Sequence, residues 1–221
     1  MELSEALYTT RAMRRVKPDA VPEDVVRRML DGAIRAPSGG NSQTGRFITI
    51  TESGIKARLG DLYRQAFATL QGTVYKEATE RARAAGDEQA ARILRSSQWL
   101  ADHFEDVPLW FFVYTRNDPD GANIFPAVWN LMLAGRGCGI GTCLTTILGH
   151  FKPAEVAAVL DVPIDRGWEL KAAVSAGYPT GRWGTAKRNP VHPIVYAERW
   201  GTSVPWTLDE PMWVEPEGYG T

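Results

Sequence analysis

The sequence predicts an α+β fold in which a small central sheet is flanked by helices. Three observations predict it. PEDVVRRMLDGAIR (22–35) carries an amphipathic helical pattern, VPLWFFVYTR (107–116) is a short continuous apolar run, and a long polar stretch with helical patterning lies between two strand-like segments. The 221 residues, 44% hydrophobic and 23% charged, sit near the globular average. No repeat, low-complexity segment or linker divides the chain, so residues 1–221 are expected to form a single domain.

The elements follow in order. In residues 22–35, Pro22 stands at a first-turn position, and Glu23 and Asp24 follow where the helix dipole favours acids. Val25, Met29 and Ala33, with Val26, Leu30 and Ile34, make two rows at i, i+4 spacing, a core-facing pattern that ends before Pro37. RFITIT (46–51) reads as a strand. Residues 55–106 are polar with helical patterning, as in ARLGDLYRQAFATL and QAARILRSSQWLADHF. VPLWFFVYTR reads as a buried strand. A largely apolar helix is expected from about Ala127 to Ala134, closing in glycines, and PAEVAAVL (153–160) forms a short helix with Pro153 at its start. ELKAAVSAGYP (169–179) reads as a buried strand ending in a Gly-Tyr-Pro turn. The tail after Trp200 is rich in Pro, Gly, Trp and acids and reads as an arm.

Composition excludes several classes of function. Twenty-five Lys and Arg against 26 Asp and Glu give a net charge of -1, so nothing draws the chain to nucleic acid or an anionic membrane. MELSEALYTTRAMRR lacks an apolar core of signal-peptide length and no stretch approaches a membrane span, which predicts a cytoplasmic protein. Cys138 and Cys143 with three scattered histidines suggest buried thiols in a reduced compartment and no metal site.

Four segments carry residues that a core does not need. TTRAMRRVKP (9–18) brings Arg11, Arg14 and Arg15, whose forks suit phosphate or the polar edge of a planar ring. APSGGNSQTGRF (36–47) sets glycines that admit close backbone approach beside Asn41 and Gln43, which both donate and accept, as a heterocycle edge demands. GCGIGTCLTTILGH (137–150) is rich in Gly and Thr, follows a helix and does not complete GxGxxG, which argues against a dinucleotide-type phosphate loop. GYPTGRWGTAKRNP (177–190) adds Arg182, Lys187 and Arg188. Each of these also reads as an ordinary solvated face, cap or turn. No nucleophile elbow, Ser-His-Asp spacing or carboxylate pair appears, so positioning loops without an acid-base engine point to a bound cofactor.

RAMRRVKPDAVPEDVVRRMLDGAIRAPSGGNSQ resembles the opening of the FMN-dependent nitroreductase family, an Arg-Arg-Ser-x-Arg run, a helix and then Ala-Pro-Ser-x-x-Asn-x-Gln. GCGIGTCLTTIL is similar to the family's Gly-Leu-Gly segment, GYPTGRWGTAKRNPV to its Gly-Tyr-Pro turn and basic loop, and IVYAERW (194–200) to its closing segment. The resemblance implies an intertwined homodimer with FMN at the interface. Arg11 and Arg188, with Lys187, would hold the phosphate, and Arg14 would face N1 and O2 of the isoalloxazine. Ala12 would lie against the cofactor, Pro37, Ser38 and Gly39 would supply backbone along the ring, and Asn41 and Gln43 would meet its polar edge. Leu144, Thr145 and Thr146 would come from the partner side.

It further implies that no side chain is catalytic, because flavin N5 carries the chemistry. NADH or NADPH would be the donor and a nitroaromatic, quinone or other small electron-poor aromatic the acceptor. Residues 55–106 fall where relatives carry a substrate cover, and Tyr75, Lys76, Glu77 and Glu80 can grasp an amino-acid zwitterion as in reductive halotyrosine deiodinases. The arm at about 201–221 would pack on the partner subunit. Departures from the family pattern are Thr10, Ala12, Gly45 and Ala186. The alternatives are a reductive dehalogenase, the branch of the superfamily that destroys flavin, and a non-catalytic FMN-binding protein.

Overall fold

The computed structural model describes residues 1–219 and divides into two compact units, Ala12–Gly181 and a second built from Met1–Arg11 with the chain from Arg182 onward. The second unit starts with helix α1 (Leu3–Thr9). Trp213 packs near Tyr8 at 6.3 Å between ring centroids and edge-on against Tyr219 at 5.1 Å, and the Met212 N–H donates to the Tyr8 hydroxyl at 2.9 Å. Thr185 donates its N–H and hydroxyl to Glu215 at 3.0 and 3.1 Å, and the backbone bond comes first among the causes that lower the Glu215 pKa. Trp200 is 90% exposed. Residues 220 and 221, the end of the expected arm, lie outside the described residues.

The larger unit holds four strands, β1 (Arg46–Ile50), β2 (Leu109–Thr115), β3 (Gly141–Thr145) and β4 (Glu169–Gly177), in the order β1-β2-β4-β3 with every pair antiparallel. Its helices are α2 (Glu23–Ala33), α3 (Ser53–Gly72), α4 (Lys76–Ala84), α5 (Glu88–Asp102), α6 (Ile124–Gly137), α7 (Ile147–Phe151) and α8 (Pro153–Val159). β2 is buried along its whole length, which is why it reads as a continuous apolar run. Its side chains alternate between two cores. Trp110, Phe112 and Tyr114 join Tyr63, Phe67, Leu100 and Leu148 on one face, while Leu109, Phe111 and Val113 meet Met29, Ala33, Val128 and Leu131 on the other. The polar stretch resolves into α3, α4 and α5. Glu52 caps α3 by accepting from the Gly54 and Ile55 N–H groups at 2.8 and 2.6 Å, and Asp87 caps α5 through the Ala90 N–H at 3.0 Å.

Two elements differ from the sequence expectation. β3 occupies part of the segment read as a glycine-rich loop: Gly139, at φ 76°, turns the chain out of α6, and Gly141–Thr145 pair with β4. α6 begins at Ile124 rather than near Ala127. Pro126 lies in its first turn, where a missing N–H costs no intrahelical bond.

Candidate functional site

Residues 12–17 run along the sheet edge, tied by the Met13 N–H to the Thr142 carbonyl at 2.9 Å and the Lys17 N–H to the Tyr178 carbonyl at 2.7 Å. This clamp holds Arg14, half-buried, at the lining of a cavity of about 640 Å³. Cys143, Leu144 and Thr145 of β3 form its floor with Tyr63 and Phe67 of α3, and α4 and α5 contribute Tyr75, Ala82, Ala91 and Leu94. Arg14 lies close enough to the Cys143 thiol and the Tyr63 hydroxyl for its positive charge to favour their ionised forms. The Tyr63 hydroxyl donates to the Thr145 hydroxyl at 3.4 Å.

The electrostatics push the floor away from acid-base chemistry. Burial raises the Tyr63 pKa to about 12, against smaller lowering effects of the Thr145 bond and the Arg14 charge. Burial likewise raises the Cys143 thiol pKa, with Arg14 opposing. Both groups stay protonated at neutral pH. Arg14 has no carboxylate partner among the described residues.

The loop 37–43 lies elsewhere. Gly40, Asn41 and Gln43 adopt φ of 57°, 53° and 48°. Such a run is held only by its surroundings. The Gly39 N–H donates to Asn123 Oδ1 at 2.6 Å, the Gln43 N–H to the Ser38 hydroxyl at 3.3 Å and Gln43 Nε2 to Asn41 Oδ1 at 2.9 Å. Asn123 is itself fixed by the buried Asp118 carboxylate, which accepts from Asn123 Nδ2 at 3.2 Å, from the Asn123 N–H at 3.2 Å and from the Ile124 N–H at 3.0 Å. A smaller cavity of about 70 Å³ is bordered by Pro37, Ser38, Gln43, Thr115, Asn123 and Ile124.

Of the residues singled out from the sequence, Arg14, Leu144 and Thr145 meet in the large cavity, and Pro37, Ser38 and Gln43 in the small one. The two cavities border opposite cores: Tyr63 and Phe67 belong to one, Ala33 and Ile124 to the other. Gly39 and Asn41 are exposed beside the small cavity, Ala12 is exposed and bridges to Thr142, and Thr146 is half-buried just before α7. Arg11, Lys187 and Arg188 are exposed in the smaller unit. There Arg11 donates to the Arg182 carbonyl at 3.0 Å and Arg188 to the Lys187 carbonyl at 2.9 Å. Tyr75 lines the large cavity, whereas Lys76 and Glu80 line a neighbouring one and Glu77 neither. Asp118 and Asn123 carry no periodic signal. Their only trace is the turn-rich composition of NDPDGAN (117–123). Among the described residues, no group of His, Cys, Asp and Glu can hold a metal ion, and no helix is long and apolar enough to cross a membrane.

The Nitroreductase family model matches residues 7–178. The chain belongs to the nitroreductase family. It is 28% identical over 203 residues to the 5,6-dimethylbenzimidazole synthase of Rhodospirillum rubrum, covering 86% of this chain and 92% of that protein. It is 24% identical over 225 residues to the NADH dehydrogenase of Thermus thermophilus, covering 88% and 95%. In fold, this nitroreductase-family chain is similar to oxidized iodotyrosine deiodinase bound to FMN and 3-iodo-L-tyrosine, with a TM-score of 0.71, 21% identity and coverage of 91% and 100%. It is also similar to the FMN-dependent nitroreductase NfnB of Mycobacterium smegmatis in complex with NADPH, with a TM-score of 0.60, 23% identity and coverage of 80% and 86%.

Proposed function

We propose that the chain is an FMN-dependent oxidoreductase that takes electrons from NADH or NADPH and reduces small electron-poor aromatics such as nitroaromatics or quinones, working as a homodimer. The observation that carries this reading is Arg14, a half-buried cation without a carboxylate partner among the described residues, at the lining of the large cavity. A half-buried charge without a partner is costly unless a ligand supplies one. A planar heterocycle with hydrogen-bond acceptors along its edge fits that demand, and the raised pKa values keep Tyr63 and Cys143 protonated at neutral pH, so neither floor group serves as a base in place of a cofactor. Bound there, FMN supplies a two-electron carrier between nicotinamide and acceptor. Arg14 contributes a preorganised positive charge where negative charge develops. Tyr63 holds the Thr145 hydroxyl, and Leu144, Ile147 and Phe67 exclude water. Arg11, Lys187 and Arg188 offer donors for a phosphate within the smaller unit, and Pro37, Ser38, Gly39, Asn41 and Gln43 present backbone and amide groups for a ring edge.

A second reading is oxygen-dependent destruction of the flavin, favoured by the dimethylbenzimidazole synthases among the relatives. Purified protein is expected to be yellow, with about one FMN per chain. Anaerobic NADH or NADPH should bleach it, and a nitroaromatic or quinone should restore the colour. Aerobic reduction that yields a benzimidazole instead of intact FMN selects the second reading. Failure to bind FMN at all overturns both.

A further inference from the structure

Beside the large cavity lies a second of about 610 Å³, lined by Arg15, Lys76, Glu80, Arg83, Trp99 and Asp102 among others. Gln71, Thr79, Arg83, Leu94 and Arg95 line both cavities and form the wall between them. The charges along this wall are unequal. Arg95 has a loose partner in Glu88 at 3.8 Å, Asp87 is occupied in capping α5, and Asp102 accepts from Gln98 at 2.8 Å. Arg15 lies over the Trp99 ring at 5.6 Å. Arg83 has neither an ion pair nor a side-chain hydrogen bond among the described residues, and the same holds for Lys76, two turns earlier on the same face of α4. Glu80 faces the second cavity only.

We propose that Arg83 reads a single carboxylate on a ligand whose flat ring lies in the large cavity, so that this ligand is an aromatic carboxylate. This inference rests on the preceding reading for what happens to the ring. It replaces the zwitterion grip expected from Tyr75, Lys76, Glu77 and Glu80, because those four groups do not converge on the large cavity while Arg83 borders both. A guanidinium matches a carboxylate with two parallel donors. The apolar wall of Leu70, Ala78, Ala82 and Leu94 gives that contact a drier setting than open solvent. Arg83 is itself exposed, so its effect belongs at the low end for charge-assisted bonds.

The test is calorimetric titration of the oxidised, FMN-loaded protein with 4-nitrobenzoate, nitrobenzene, NADP+ and NAD+, for wild type, Arg83→Ala and Arg83→Lys. Arg83→Ala should weaken 4-nitrobenzoate about tenfold and leave nitrobenzene within about twofold, with Arg83→Lys between. FMN content and thermal midpoint should match wild type, since the side chain makes no ion pair or hydrogen bond among the described residues. Equal losses for both nitro compounds, or none for either, overturn the proposal. A loss confined to NADP+, with NAD+ and 4-nitrobenzoate unchanged, assigns the anion site to the donor's phosphate and overturns the aromatic carboxylate. If the protein takes up no FMN, the flavin reading fails, and titration of the apoprotein with 4-nitrobenzoate still decides the role of Arg83.

Discussion

Asp118 and Asn123 are expected to control the loop 37–43 through two separable effects. Asp118 is 5% exposed, and its carboxylate accepts from three donors of Asn123 and Ile124. Asp118→Asn keeps the shape but turns one accepting oxygen into an NH₂ group facing N–H donors. Losing one charge-assisted bond and stranding a donor should cost about 2–3 kcal/mol of stability. Asn123→Ala removes the acceptor of the Gly39 N–H, which is exposed and can turn to water, so the stability cost should stay near 0.5–1.5 kcal/mol. Its larger effect should fall on the ligand. Gly40, Asn41 and Gln43 sit at positive φ, and once released they must be reordered on binding. Recovering part of that ordering entropy, roughly 1–2 kcal/mol, predicts FMN binding about 5- to 30-fold weaker. Urea unfolding and FMN fluorescence titration at 25 °C measure the two quantities. An Asn123→Ala protein whose FMN dissociation constant stays within about twofold of wild type would refute the idea that this strap preorganises the loop.

Three further outcomes are expected. Because the folded Tyr63 pKa is raised to about 12 from 10.0, its contribution is complete below pH 10 and is lost as pH rises toward 12; Tyr63→Phe should reduce the alkaline loss of stability in that window by roughly 1–3 kcal/mol, read from urea unfolding at pH 9 and 11.5. Arg14→Gln should make the flavin midpoint potential more negative by roughly 20–45 mV, the equivalent of about 1–2 kcal/mol, whereas a purely structural role would lower stability and leave the potential in place. Gly149→Ala would put a Cβ at 2.4 Å from the Leu170 carbonyl oxygen, and because backbone cannot swing aside the cost should be about 1–3 kcal/mol or more by chemical denaturation.

Elements with a strong periodic signal were legible: α2 from its i, i+4 rows, and β2 and β4 from apolar runs that one buried sheet demands. β3 was not. GTCLT has no alternation, and it is a strand because of what surrounds it: a Cβ on Gly141 would stand 2.9 Å from that of Met13, so only glycine lets the 12–17 segment close against the sheet edge. Arg14 stood out as one of several basic residues, but its difference from Arg15 depends on that closure, since Arg14 meets Cys143 while Arg15 lies over Trp99. Asp118 and Asn123 act across 84 residues of sequence, Asn123 to Gly39, and no local pattern encodes such a contact.

The two cavities bear on the proposed dimer. Arg14 and Thr145 line one that borders the core of Trp110 and Phe112, while Pro37, Ser38 and Gln43 line one that borders the core of Phe111 and Val113. A sheet and its side chains fill the space between two such faces, and stacked layers lie about 10 Å apart. A flavin ring placed in one cavity of this unit lies against a different core from a ring placed in the other. If both residue sets hold one ring, they come from two copies, and the symmetry of a two-fold dimer then provides two identical shared sites. This makes a counting prediction. One protein carrying Arg14→Gln and another carrying Asn123→Ala are mixed after denaturation and refolded together. Random pairing makes about half of the dimers mixed, and each mixed dimer has one site with both changes and one with neither, so about a quarter of all sites should recover wild-type FMN affinity and potential. Spectroelectrochemical titration resolves that population from the rest. A mixture that behaves as the plain sum of its two parents would place each site within a single copy and remove the structural ground for sharing.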